Sequence, residues 1–114
     1  MTSAEMLHYT ELPQSHTPPA AGGISYLASD VLGMRACAMT VMKLPAHAQA
    51  SPQAMQCEGL PPEVFVVVAG SGGLATDREE LSLRQGMIAR VSGSSSILRA
   101  EAEGMTVILL AARA

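Results

Sequence analysis

The chain has 114 residues and a net charge of −3, enough for one hydrophobic core and too short for two. Hydrophobic residues make up 48% of it and aromatic ones only 3%, so the interior has to be built from Val, Leu, Ile, Ala and Met. Seven Lys and Arg against ten Asp and Glu, with no basic run, exclude nucleic acid as a partner. No stretch approaches the roughly 18 to 20 apolar residues of a membrane span.

Residues 1–22 carry Pro13, Pro18, Pro19, several hydroxyl residues and His8 and His16. That composition predicts an extended arm, which in a small barrel often lies on another subunit. The first thirteen residues contain Glu5, His8 and Glu11 and lack a basic segment followed by an apolar one, so no signal peptide is expected and the protein is placed in the cytoplasm. Ile24 to Ser29 alternates as a short strand, and residues 30–33 supply a turn. Residues 34–43 form a second strand, with Ala36, Ala38, Thr40 and Met42 on one side and Arg35, Cys37, Met39, Val41 and Lys43 on the other. Residues 44–59 hold Pro45, His47, Pro52, Cys57 and Glu58 without sustained periodicity. They are expected as a long loop with a short strand at 54–58.

Residues 63–73 are the centre of the pattern: an apolar run, Val64 to Ala69, set between Pro61 and Pro62 and a glycine-rich segment. Such a run predicts a strand buried on both faces. Glu63 begins it, and a carboxylate carried toward a core needs a partner, a proton or a metal. Residues 71–73 are expected to turn and 74–76 to return as a strand, with 77–80 as a charged hairpin tip. Further strands are expected at 80–83, 87–91, 97–101 and 105–111, the last two separated by a turn at Gly104, with a polar serine loop at 92–96. Eight to ten short strands and no helical periodicity make an antiparallel sandwich or barrel. Two cysteines twenty residues apart, Cys37 and Cys57, read as reduced thiols.

From this point the spacing resembles the cupin superfamily of small jelly-roll barrels. Glu63 and Gly70 stand six residues apart, as the acid and the glycine of the first cupin motif do, and Val-Phe-Val-Val-Val-Ala lies between them. Gly86, followed by Gly93 and Ser96, is similar in layout to the second motif. The resemblance covers roughly residues 34–111. It implies a barrel over 23–114 behind the arm of 1–22. It also implies a metal held by two histidines and Glu63 from the first motif and a histidine from the second. Counting back from Glu63, the two first-motif histidine positions fall on Gln56 and Glu58, or on Cys57 and Gly59, and the last histidine is replaced by Ser96. Only Glu63 remains of that set.

The expectation is therefore a cupin-type barrel without a metal cofactor, whose apolar pocket takes a small organic molecule. Met39, Val41, Phe65, Val67, Met87 and Val91 would line it, with Glu63, Gln56, Cys57, Glu58 and Ser96 toward its polar end. Glu63 is the candidate catalytic acid or base. If a divalent transition metal binds, Glu63, His47 and Glu58 are the residues to hold it. Arg90 and Arg99 are candidates for a ligand carboxylate. A metal-dependent or acid/base enzyme of the isomerase, epimerase or dioxygenase type is the rival reading, and a structural dimerisation module is the third. A homodimer is expected because edge strands of small barrels otherwise stay unpaired.

Overall fold

The computed structural model describes residues 4–91 and 96–113. Seven strands are present among them: β1 (Ile24–Leu27), β2 (Cys37–Leu44), β3 (Gln49–Ala50), β4 (Val64–Ala75), β5 (Glu80–Arg84), β6 (Ile88–Arg90) and β7 (Ile97–Ala112), with 3-10 turns at Tyr9–Glu11 and Gln53–Met55. All pairings are antiparallel, in the order β1-β2-β7-β4-β5, with β3 added to β7 and β6 to β4. No helix among the described residues is long and apolar enough to cross a membrane.

Two expected turns are absent. The glycines at 70–73 and Gly104 do not reverse the chain; they bend it, so β4 and β7 are long strands that each replace two short ones. Register shifts fall between Val67 and Ala69 and between Gly70 and Gly72, which bends a strand without ending it. The bend also requires backbones in near contact. A Cβ on Gly70 (φ 78°) would sit 2.0 Å from the Gly104 carbonyl oxygen, and one on Gly72 would sit 2.2 Å from that of Arg99. No other residue fits these positions.

The bends divide the molecule into two layers. The first half of β4 and the second half of β7 run with β1, β2 and β6; the remaining halves run with β3 and β5. One core cluster joins the inner faces of both layers, with Met42, Phe65, Val67, Val107 and Leu109 from the first and Leu74, Leu83 and Leu98 from the second. A second, smaller cluster lies outside the roll. There Leu12, Tyr26, Ala28 and Val41 are buried, with Leu7, Tyr9, Met39 and Ile108 packed against them. The N-terminal segment thus covers the outer face of β1 and β2. It is held by main-chain hydrogen bonds from Ser15 to Ser25 (2.8 Å) and from Leu27 to Pro13 (2.8 Å) and by an edge-to-face contact between Tyr9 and Tyr26.

This arrangement corrects two expectations. β4 is not buried on both faces: Phe65 and Val67 face the core, while Val64 and Val66 are half-buried and Val68 is exposed. The expected strand at 54–58 is a 3-10 turn followed by a tight reversal, Cys57 to Leu60.

Candidate functional site

Glu63 precedes β4 and continues its ladder. Its N–H donates to Leu110 O (2.8 Å) and its carbonyl accepts from the Val91 N–H (2.8 Å). Ala38 pairs with Ala111 in the β2–β7 register, so one more step of the same ladders forms a row of Ala38, Ala111, Glu63 and Val91. Side chains alternate along a strand, which puts Glu63 on the face that carries Phe65 and Val67. The carboxylate is exposed rather than interior. It stands at the open end of the roll, above the next inner row of Thr40, Leu109, Phe65 and Ala89. The upper row holds two alanines and a valine, all buried, so this end of the roll, its mouth, is apolar with one exposed acid on its rim.

Cys57 is fully buried beneath this mouth and belongs to the main core. Its Sγ–H donates to Leu109 O at 3.6 Å. Burial pushes the thiol up to about 11, despite a lowering contribution from its contact with Thr40. A thiol held protonated in this way is a poor nucleophile at neutral pH. Cys37 is half-buried, and both cysteines are free thiols.

Glu58 sits in the Cys57–Leu60 reversal, whose ends exchange hydrogen bonds of 2.8 and 2.9 Å. Glu58 (φ 52°) and Gly59 (φ 79°) both have positive φ, the geometry of a primed two-residue turn. Glycine adopts it freely and glutamate does not. The Glu58 carboxylate does not face the mouth. Its Oε2 accepts hydrogen bonds from Ser29 Oγ (2.8 Å) and from the Arg113 guanidinium. Arg113 Nη1 also donates to Met34 O at 2.7 Å. Arg113 first, and Ser29 second, hold the Glu58 carboxyl below its ordinary range.

The remaining candidates scatter. Gln56 is exposed, Phe65 is closed inside the core, and Ser96 is buried. Met39 and Val41 face outward, under the N-terminal segment rather than in the barrel, and Met87 is exposed. Ser92, Gly93, Ser94 and Ser95 lie outside the described residues. His47, at φ 61°, lines a cleft of about 650 Å³ with Ser71, Glu80, Ser82, Arg99 and Glu101 on the outer face of the second layer. Arg90 lines a different cleft, of about 370 Å³, with Thr76, Arg78 and Glu79. Arg90 and Arg99 therefore serve no common ligand.

These placements decide how the residues suit a cupin-type metal. Glu58 is taken up by a guanidinium, Cys57 is closed in the core with its thiol on Leu109 O, and His47 is on another face. Among the described residues no three His, Cys, Asp or Glu side chains gather as a metal-holding group. A divalent ion at Glu58 would have to displace Arg113 or share the site with its positive charge. The donor set does not fit. Sequence reasoning had no signal for Arg113, Ser29 or Thr40, because their contacts span 55, 29 and 17 residues and follow no motif.

No family model and no curated protein matches the chain. Solved structures do. A sugar phosphate isomerase of the cupin superfamily from Silicibacter pomeroyi superposes with a TM-score of 0.74 at 16% identity, over 96% of this chain and 76% of that one. A cupin 2 conserved barrel domain protein from Salinispora arenicola gives 0.74 at 8% identity, over 99% and 92%. A predicted oxalate decarboxylase from Thermotoga maritima gives 0.63 at 12%, over 96% and 100%. At such identities the likeness is one of architecture, and with the bent strands and single inner core described above it establishes the fold of this chain as that of the cupin superfamily, a small jelly-roll barrel.

Proposed function

We propose that this protein is a cupin-fold binding module that takes a small organic molecule at the mouth of the barrel and works without a bound transition metal. The observation that carries the reading is the row at the end of the roll, where the apolar side chains of Ala38, Ala111 and Val91 stand beside Glu63, which supplies one exposed carboxylate. An apolar wall with a single polar anchor suits a ligand that has an apolar body and a hydrogen-bond donor or a positive charge. The residues at the family's histidine positions support the metal-free part, since Glu58 is engaged by Arg113 and Cys57 is closed in the core with its thiol on Leu109 O. The structural relatives include proteins described as an isomerase and as a predicted decarboxylase. The architecture therefore selects no reaction, and binding is the reading that this chain's own residues favour.

The protein also works as a homodimer in this reading. Val66 pairs with Ile88 on the outer face of β4 and β6, Ile88 is 70% exposed, and Met87, next to it in sequence, and Val68, two residues along β4 from Val66, are partly exposed. Such a patch is what a second copy would cover.

The test is a thermal-shift panel of sugars, hydroxy acids, aromatic acids and small amines, run with and without EDTA. A compound that raises the melting temperature equally in both, and no longer does so with Glu63→Gln or with Ala111→Phe, supports the reading. Stoichiometric iron, manganese, zinc or nickel in protein purified without chelator would overturn it, and so would a ligand response that both substitutions leave intact.

A further inference from the structure

The twelve residues between β3 and the start of the β4 ladder differ from the rest of the barrel in how they are attached. Among the described residues, no main-chain N–H or carbonyl of residues 51–62 pairs with another strand. Their main-chain hydrogen bonds are local: Ala54 to Ser51, Met55 to Pro52, and the two between Cys57 and Leu60. Pro52, Pro61 and Pro62 have no N–H to give. Three ties remain. Met55 and Cys57 are inserted in the core, 1% and 0% exposed. The Cys57 thiol reaches Leu109 O. The Glu58 carboxylate is bound by Ser29 and by Arg113, which also holds Met34 O.

We infer that residues 51–62 form a lid over the barrel interior, latched by the Glu58–Arg113 pair, and that the lid opens without unfolding the barrel. A segment with few ladder hydrogen bonds sits at the low-stability end of a fold and opens on its own. The latch joins three separate parts of the chain: the reversal at 57–60, the connection from β1 to β2 through Ser29 and Met34, and the end of β7 through Arg113. It is the sole ion pair among the described residues. The reversal also places a glutamate where the backbone prefers glycine, so the turn is poor in itself and its closure leans on what the carboxylate binds. Opening withdraws Met55 and Cys57 from the core and uncovers the floor of the mouth. The inference uses the proposed binding function only for what the lid admits; the motion itself is tested without any ligand.

Cys57 is a built-in reporter, since a labelling reagent meets its thiolate only when the lid is out. Labelling by DTNB is followed in a Cys37→Ser background, in the full chain, against urea concentration. Expected is a rate with a shallower urea dependence than global unfolding, raised roughly three- to tenfold by Glu58→Gln and by Arg113→Ala, with the unfolding midpoint of each variant measured alongside. Glu58→Gly, which relieves the turn but removes the latch, is expected to speed labelling without lowering that midpoint. Labelling that follows global unfolding in every variant would overturn the lid. Rates unchanged by all three substitutions would overturn the latch. A lid that opens in a protein with no response to the ligand panel would sink the binding proposal alone.

Discussion

Glu58 is the side chain whose surroundings translate most directly into a measurement. Its carboxyl is held below its ordinary range, from a reference of 4.5, chiefly by Arg113 and then by Ser29. A carboxyl with a depressed folded-state value stabilises the fold above its unfolded value, and that stabilisation is lost as pH falls through the folded value. The wild-type protein should therefore lose stability below pH 4.5, and part of that loss should vanish in Glu58→Gln. Urea midpoints between pH 3 and pH 7 check this; identical acid limbs would show that the pair contributes nothing. A second outcome concerns the two thiols. In the wild-type protein half-buried Cys37 should label well before Cys57, which is buried and protonated to about 11; equal rates would mean that the interior is open.

Strands β4 and β7 depend on their glycines for curvature rather than for turns. Gly70→Ala combines a positive φ with a Cβ 2.0 Å from a carbonyl oxygen, so it should cost on the order of 3 kcal/mol in strain and overpacking. Gly59→Ala is the control. It also has positive φ, 79°, but nothing lies within 4 Å of the added carbon, and a loss of about 1 kcal/mol is expected. Denaturant unfolding of the two variants measures the difference. Comparable losses would show that φ alone, and not the contact with Gly104, governs the bend.

The barrel is held by one continuous core, and its sheet carries apolar residues on the outer side as well. Truncating Phe65, 1% exposed, to Ala should cost roughly 3 to 5 kcal/mol because a cavity opens among residues of both layers. Ile88, on the uncovered outer face, should behave in the opposite way. Ile88→Glu is expected to leave thermal stability nearly unchanged at low protein concentration and to shift the molecule from dimer to monomer in light scattering. A wild-type protein that is already monomeric would remove the second copy from the proposal.

Short apolar runs rich in Val, Ile and Leu, closely spaced turn residues and the lack of any helical period were sufficient to read an antiparallel all-β sandwich or barrel, because strand formation is governed locally; the jelly roll came from the resemblance to the cupin motifs. The apolar run Val64 to Ala69 was sufficient to place the first half of β4 and not its continuation through Ala75. Facing was not legible. Residues 37–44 are apolar on both sides: Ala38, Thr40 and Met42 line the interior, while Met39 and Val41 lie under the N-terminal segment. Alternation cannot tell inside from outside when a distant part of the chain covers the outer face. The glycines gave the same ambiguity, since a bend and a reversal use the same residue and differ only in what backbone approaches it. Glu58 was visible as an acid near a family histidine position, but its role depends on Arg113, 55 residues away. Local propensity is written into neighbouring residues; burial, ion pairing and access to the barrel arise from contacts between residues far apart in the chain, and only the folded structure brings those together.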